Sequence, residues 1–227
     1  MNPTPTKQSV SLRTKIYENS LSLSFLLLFI IFLFGQCYTG WIENNKFLED
    51  KGSPALDLMG YLHTGHFIQA TFENWESEFL QMALFIIFSI WLRQRGSSES
   101  KSIDEKEEVD NEPKASANAP WPVRKGGIYL AIYKHSLSIA FLLLFLFSFI
   151  AHLFGSLSDY NTEQLLENKA TVTITEFTGM SKFWFESFQN WQSEFLSVAA
   201  IVYLTVYLRQ KGSAQSKPVD TPNHENE

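Results

Sequence analysis

The residues with the clearest capacity for chemistry lie in one polar sequence that occurs twice. Asn74–Leu80 reads Asn-Trp-Glu-Ser-Glu-Phe-Leu, and Asn190–Leu196 reads Asn-Trp-Gln-Ser-Glu-Phe-Leu, 116 residues further along the chain. On a helix, spacings of three and four residues place the polar side chains of each copy on one side. The candidate polar or ion-binding site therefore consists of Asn74, Ser77, Glu78, Asn190, Ser193 and Glu194.

Glu78 and Glu194 are the acidic residues that both copies keep. The neighbouring Glu73 and Glu76 each align with a glutamine in the second copy, so this comparison predicts that their charge is dispensable. One interpretation of Glu78 and Glu194 is structural, because a carboxylate near a helix N-terminus interacts favourably with the unpaired N–H groups and the helix dipole. The alternative is that the two carboxylates meet and form a proton or cation site.

The histidines and the cysteine give weaker signals. His63 and His66 form a His-Thr-Gly-His sequence, but no carboxylate or cysteine completes a clear ligand set, so we predict no metal site there. We expect His152 to be packed or hydrogen-bonded, with Glu194 as a partner within reach. Cys37 is the only cysteine, which excludes an intrachain disulfide and a zinc or iron–sulfur site built from cysteines.

Motifs of known enzymes and cofactor sites are missing from the sequence. It contains no nucleophile elbow, phosphate-binding loop, metalloprotease helix or dinucleotide fingerprint. We therefore predict no catalytic residue, no cofactor and no metal. The formal net charge of -6 comes largely from polar tails and a polar linker, and no basic patch with interleaved aromatic residues suggests a nucleic-acid partner.

The elements that must position the polar cluster are four strongly apolar blocks. With their aromatic flanks the blocks approach the roughly 20 residues that cross about 30 Å of hydrocarbon. They are apolar on every face, so no side is suited to water. A cleaved signal peptide is a poor explanation of the first block, because its counterpart lies deep inside the chain. We predict four transmembrane helices, at Leu21–Phe34, Phe79–Leu92, Leu137–Phe154 and Phe195–Leu208.

The apolar blocks belong to the same duplication as the polar cluster. Ser20–Phe29 matches Ser136–Phe145 almost letter for letter, after which the second copy is expected to insert about one helical turn and to shorten its outer loop. Two crossings per copy give both copies the same orientation. We predict an all-α membrane protein of two tandem, parallel-oriented helical hairpins about a pseudo-two-fold axis along the membrane normal.

Basic residues predict the direction of insertion. They flank the first and third helices on the N-terminal side and the second and fourth on the C-terminal side, at Arg13, Lys15, Arg93, Arg95, Arg124, Lys125, Lys134, Arg209 and Lys211. The positive-inside rule then places both termini and the central linker in the cytoplasm. Gly96 and Gly212 follow the cations of the second helices and are expected to be helix C-caps.

These boundaries divide the chain into five segments. Each hairpin is one membrane repeat, and the acidic, proline-punctuated linker and the tails have too little apolar surface to fold alone. We expect a cytoplasmic tail at 1–15, a first repeat at 16–96, a disordered linker at 97–127, a second repeat at 128–212 and a disordered tail at 213–227.

One family resemblance rests on the duplicated motif. Asn-Trp-(Glu/Gln)-Ser-Glu-Phe-Leu, followed by an apolar helix and Leu-Arg-Gln-(Arg/Lys)-Gly-Ser, resembles a family of small bacterial integral membrane proteins of unknown function. The likeness covers Asn74–Ser97 and Asn190–Ser213. It implies a bacterial origin and an inner-membrane location, and it implies no activity.

Three functions remain open at this stage. The first is a non-enzymatic membrane protein that acts by assembling with itself or with another membrane protein, with the lipid bilayer as its constant partner. The second is a small proton or cation channel or transporter that uses Glu78 and Glu194. The third is a membrane-embedded metal hydrolase.

Overall fold

The computed structural model describes residues 11–224, and over that range it contains helices and no β-strand. Four helices of 27 to 31 residues dominate the fold. In chain order the α-helices are α1 Leu12–Glu18, α2 Ser20–Asp50, α3 Leu58–Tyr61, α4 Gly65–Trp91, α5 Trp121–Lys125, α6 Gly127–Lys134, α7 Ser136–Leu166, α8 Ile174–Thr178 and α9 Ser181–Tyr207.

Two of the long helices are apolar enough to cross a membrane. These are α2 and α7, each of 31 residues, which corresponds to a length of about 46 Å at 1.5 Å per residue. The other two long helices, α4 and α9, have acidic residues in their N-terminal halves. We call the end of the bundle where α2 connects to α4, and α7 to α9, the hairpin end, and the opposite end the linker end.

The long helices of the two halves correspond at a constant offset of 116 residues, as shown by the bounds of α2 and α7 and of α4 and α9. The connections at the hairpin end correspond as well. The Asn45 side chain exchanges two hydrogen bonds of 2.8 Å with the backbone of Leu56, and Asn161 does the same with Val172 at 3.0 and 2.8 Å.

This constant offset corrects the expected one-turn insertion in the second copy. The first helix of each half has 31 residues. The hydrogen bonds of Asn45 and Asn161 to the connections that follow lie at the same offset. Gly35 and Gly155 are therefore not equivalent, and the residue equivalent to Gly155 is Thr39. Both helices also continue well past the apolar blocks, because their C-terminal halves make protein contacts that polar residues can share.

The closest helix packing in the described chain is the antiparallel pair of α4 and α7. Two glycines bring the backbones into contact. A Cβ atom on Gly65 would lie 2.3 Å from the Asp159 backbone nitrogen, and one on Gly155 would lie 2.6 Å from the Gln69 backbone nitrogen. Small residues at helix interfaces allow such close approach, which lets dispersion forces and short polar contacts hold the helices together.

The corresponding packing of α2 on α9 is not formed. The equivalents of Gly65 and Gly155 are Ser181 and Thr39, and the buried Ser148 of α7 has Phe32 as its counterpart on α2. These larger side chains prevent the close backbone contact that α4 and α7 make. The N-terminal half of α2 consequently has most of its apolar side chains exposed.

The linker ends of α4 and α9 correct the prediction that Gly96 and Gly212 are C-caps. Both helices end earlier, with Leu92 and Leu208 in extended conformation as the capping residues. Instead, Nη1 of Arg93 donates to the carbonyls of Ser89, Ile90 and Leu92 at 2.9 to 3.2 Å.

Arg209 caps α9 through its own Nη1 in the same way. The two glycines adopt φ of +82° and +86° in the turns that follow, a conformation that glycine tolerates best.

Residues 97–127, for which the sequence predicts disorder, form turns, one 3-10 turn, α5 and the first residue of α6. Their path is fixed by side chains rather than by apolar packing. Ser100 Oγ accepts from the Gln94 backbone N–H at 2.9 Å, and Ser216 Oγ accepts from that of Gln210 at 2.9 Å in the tail. Ser97 reaches across to Thr205 on α9 at 2.9 Å, so linker and bundle are in contact.

We expect Gly155→Ala to lower the free energy of unfolding in mild detergent by about 1–3 kcal/mol, the usual cost of overpacking. The added methyl group would meet the backbone of α4 at Gln69 and Ile68. Gly35→Ala is the matched control, since a Cβ there meets nothing within 4 Å. Equal stability of the two variants in thermal unfolding would contradict the backbone contact of α4 and α7.

Candidate functional site

A buried cluster of titratable residues lies where α4, α7 and α9 meet. We call it the His152 centre, and it comprises Glu73 and Glu76 from α4, His152 from α7 and Glu186 from α9. The side chains of His152 and Glu76 are fully buried. Charged groups are almost never fully buried unless they are paired, so the arrangement of their partners decides what this centre can do.

Glu76 is held on both of its carboxylate oxygens. His152 Nδ1 lies 2.7 Å from Oε2, and because a carboxylate only accepts, this ring nitrogen carries the hydrogen. Trp191 on α9 donates its indole N–H to Oε1 at 2.8 Å. Glu76 therefore fixes the orientation of the His152 ring and links all three helices.

The other ring nitrogen of His152 faces the remaining two carboxylates. Nε2 lies 3.4 Å from Oε2 of Glu186 and 3.9 Å from Oε2 of Glu73. Neither contact has the geometry of a well-formed hydrogen bond, which leaves this buried atom geometrically unsatisfied although it interacts electrostatically with both carboxylates. An unpartnered buried nitrogen beside two carboxylate oxygens is an unusual arrangement, since native proteins satisfy nearly all such atoms.

Glu186 has polar contacts on both oxygens. Ser156 donates to Oε2 at 2.6 Å, and the Lys182 ammonium lies 3.0 Å from Oε1. The three carboxylates of the centre are thus opposed by its histidine and by one neighbouring lysine, Lys182. When the imidazole is neutral, the negative charges outnumber the positive ones.

Aromatic rings pack against the centre on one side. The ring of Phe183 lies 5.0 Å from that of His152 and 5.5 Å from Phe149, centroid to centroid. Phe145 contacts both Phe149 and Trp191. This apolar wall lowers the local polarity, which strengthens every electrostatic interaction within the centre.

An acidic pocket lies towards the hairpin end. Asp159, on α7 two turns beyond His152, interacts electrostatically with both Lys182 and Glu186 of the centre. His66 is 4.0 Å from Glu43 across the pocket. The complete lining consists of Glu43, Asn44, Phe47, His66, Asp159 and Glu163. The pocket and the His152 centre therefore form one negatively charged region.

The sequence-predicted residues of the first copy do not enter this region. Asn74 and Ser77 hydrogen-bond to carbonyls of their own helix, at Ala70 and Asn74 respectively. Glu78 is exposed on the outer surface of α4. Its carboxylate interacts electrostatically with that of Glu194, so the structure does bring these two acids near each other, apart from the His152 centre.

The residues of the second copy behave similarly, with one exception. Ser193 is exposed and bonds to the Asn190 carbonyl at 2.8 Å. Asn190 lies beside Glu73 of the centre and donates to the Glu186 carbonyl at 3.1 Å. Asn190 is therefore the only one of the six candidates for which the described part of the chain records a contact with the His152 centre.

The two histidines of the His-Thr-Gly-His sequence have separate partners. His63 Nδ1 lies 2.7 Å from the Met59 carbonyl oxygen, and His66 Nδ1 lies 3.1 Å from the Tyr61 hydroxyl. His152, for which Glu194 was a possible partner, contacts Glu76 and Glu186 instead.

Comparison of the two copies pointed away from the residues of the centre. The glutamines that replace Glu73 and Glu76 in the second copy predict that these acids are dispensable, yet Glu76 is fully buried. His152 and Glu186 likewise correspond to residues without charge, Gln36 and Ala70. The sequence feature that could have identified the centre is the presence of charged residues in only one copy. A site formed between non-equivalent helices is not expected to occur in both copies.

The fold and this centre define an all-helical protein with two membrane-length helices and a buried, carboxylate-rich site. The chain belongs to the family described as domain of unknown function (DUF6766), whose model matches residues 12–227. Comparison with curated proteins and with solved structures gave no match. The family assignment agrees with the expected uncharacterised family and adds no activity.

We expect Glu76→Gln to destabilise the protein by about 1.5–3 kcal/mol, the usual contribution of a hydrogen bond to a charged group. The amide would leave His152 without its anionic partner inside the bundle. Glu78→Gln, two residues away and exposed, should change stability by less than about 0.5 kcal/mol. Thermal and denaturant unfolding in detergent measure both, and the reverse order would contradict the assigned roles.

Proposed function

We propose that the protein is a four-span inner-membrane protein with its linker end in the cytoplasm. The support for two further spans comes from packing. α4 lies antiparallel along α7 from the Gly65–Gly155 contact to the ring pair of Phe79 and Phe141, so it occupies the same depth as a helix that is long and apolar enough to cross. Its 27 residues extend about 40 Å, more than the hydrocarbon thickness.

We also propose that the two halves are duplicated hairpins arranged about a pseudo-two-fold axis. Lys51 and Glu167 occupy equivalent positions and form an ion pair at 2.8 Å, as residues close to such an axis would. The Lys169 and Lys51 ammonium groups hold the pKa of the Glu167 carboxyl at about 2. The pair is partly exposed, so it serves as a marker of position rather than as a source of stability.

Two engineered cysteines test the four-span topology in a Cys37→Ser background. Ala170 and Ala115 are both exposed, in the second hairpin connection and in the linker. With four spans, an impermeant maleimide should label Ala170→Cys in intact cells and Ala115→Cys only after permeabilisation. If α2 and α7 alone crossed, with the same cytoplasmic N-terminus, the labelling pattern would be reversed, which makes the two topologies distinguishable.

We propose that the function of this membrane protein is to bind a cation from the outer side at the His152 centre. The observation that carries the proposal is the excess of carboxylates around a buried, unpartnered ring nitrogen. Ionisable residues inside a membrane bundle are costly and mark ion or substrate sites. The acidic pocket at the hairpin end supplies an entry region that attracts cations.

Binding fits this arrangement better than conduction. Towards the linker end the centre is followed by rings, with Phe145 against Phe149 and Phe79 against Phe141. Such apolar packing offers a cation no ligands to replace its water. We therefore assign no catalytic step and no continuous pathway, and the role of Glu78 and Glu194 as a conduction pair stays a prediction.

Self-assembly is a second proposal, supported by one observation. Almost every side chain in the N-terminal half of α2 is exposed, whereas the equivalent half of α7 packs on α4 along one side, through Phe141, and keeps the rest of its apolar surface exposed. We propose a second copy of the chain as the partner of this surface. Each copy offers helices from the same duplicated hairpin as α4, the helix that packs on α7.

A thermal-shift series tests cation binding with purified full-length protein in detergent. Alkali, alkaline-earth and divalent transition-metal chlorides are added separately. At least one should raise the melting temperature, because a ligand at 100 times its Kd stabilises the folded state by about 2.7 kcal/mol. Glu186→Gln should remove this shift and Glu194→Gln should keep it. Absence of any shift, or its loss in Glu194→Gln alone, would refute the proposal.

A further inference from the structure

The unpartnered nitrogen of His152 points to a specific class of cation. We propose that Glu73, His152 and Glu186 bind one divalent transition-metal ion of the zinc type. The proposal rests on the cation-binding function above and names its ligand. The sequence alone predicts no metal here, because these three residues come from three different helices and share no motif.

The distances between the potential ligand atoms suit such an ion. His152 Nε2 and one oxygen of each glutamate all lie within 4.8 Å of one another. In a tetrahedral zinc site, with bonds of about 2.0–2.2 Å, neighbouring ligand atoms are about 3.3–3.5 Å apart. Nε2 is 3.4 Å from Glu186 and 3.9 Å from Glu73. The Glu73 carboxylate would have to move closer to the other two ligand atoms to complete the set, since its oxygen is 3.9 Å from Nε2 and the widest separation among the three atoms is within 4.8 Å.

The hydrogen bond on the other ring nitrogen of His152 is of the kind found at metal-bound histidines. A metal-bound histidine almost always donates its other ring N–H to a carboxylate or carbonyl, which fixes the tautomer and raises the basicity of the ligand nitrogen. Glu76 provides this acceptor at Nδ1, and Trp191 holds Glu76 in place. When the ring is neutral, Nδ1 carries the hydrogen and the lone pair of Nε2 faces Glu73 and Glu186.

The mixture of ligand atoms favours a transition metal over magnesium or calcium. Imidazole nitrogen suits zinc, copper, iron and nickel, whereas magnesium and calcium prefer oxygen alone. Three protein ligands leave one tetrahedral position for water, as in zinc sites that exchange or activate a ligand. Ser156 and Lys182 contact the ligand Glu186, and they would hold its carboxylate in place and reduce the local negative charge.

The alternative is a metal-free ion cluster, in which a protonated His152 is paired with its carboxylates. The two states predict different results for the same variants. In the cluster, Glu73 and Glu186 contribute only charge. In the metal site they are ligands, and Glu76 is a positioning residue that acts through the His152 ring.

The test measures zinc in the purified full-length protein after chelator treatment and reloading. We expect about one zinc ion per chain by elemental analysis, as a single three-ligand site implies. Glu73→Gln and Glu186→Gln should each weaken zinc binding at least as strongly as Glu76→Gln, for which we expect about 10–100-fold, the usual effect of losing an outer-shell partner. Cobalt(II) loading should give the visible absorption bands of a tetrahedral ion, and these bands should be lost in Glu186→Gln.

Glu78→Gln and Glu194→Gln are the matched controls and should keep full zinc affinity. Glu73 is partly exposed, so its glutamine variant should fold, which a melting curve verifies. Zinc below stoichiometry in the wild type, or unchanged affinity in folded Glu73→Gln and Glu186→Gln, would overturn the metal proposal. If alkali or alkaline-earth ions alone stabilise the protein, the cation-binding function stands and the transition-metal assignment fails. If no cation stabilises it, both fail.

Discussion

The contact between the backbones of α4 and α7 is the constraint on which the rest of the structure depends. Gly65 and Gly155 leave no space for a Cβ atom at this crossing, and the pair is the most extensive packing in the described chain. Because the helices lie this close, Glu76 and His152 meet at 2.7 Å with no exposed surface on either side chain. Without this close approach, the two side chains would not pair, and burying their charges among apolar helices would be unfavourable.

The buried charges themselves are tolerated because each has a specific partner. Removing an ion from water costs several kcal/mol even after relaxation, and only good geometry and further hydrogen bonds compensate for it. Glu76 has both of its oxygens occupied, and Glu186 is contacted by Ser156 and Lys182. Nε2 of His152 is the exception. Helix packing thus holds Nε2 of His152 unsatisfied among hydrogen-bonded neighbours, and this atom is the basis of the proposed cation binding.

The differences between the two halves matter more for this site than their similarities. Equivalent contacts such as Phe29 with Trp75 and Phe145 with Trp191 recur in both halves, and they position the helices. The His152 centre instead uses residues whose counterparts are neutral, among them Gln36. The threonine and serine that replace the two glycines keep α2 from packing as α7 does. Divergence after the proposed duplication would thus account both for the site and for the open helix.

The sequence by itself determined the helical class and the two membrane-length helices, since long runs of apolar residues are local properties. It also located the corresponding residues of the two halves, apart from the inserted turn that the structure removed. Tertiary structure alone decided which acids are buried. Glu76 and Glu78 are two residues apart on one helix, and their different exposure depends on which side faces α7. That choice is made by the glycine contact, which no single-helix pattern encodes, because it needs small residues on two helices that meet only in the folded chain.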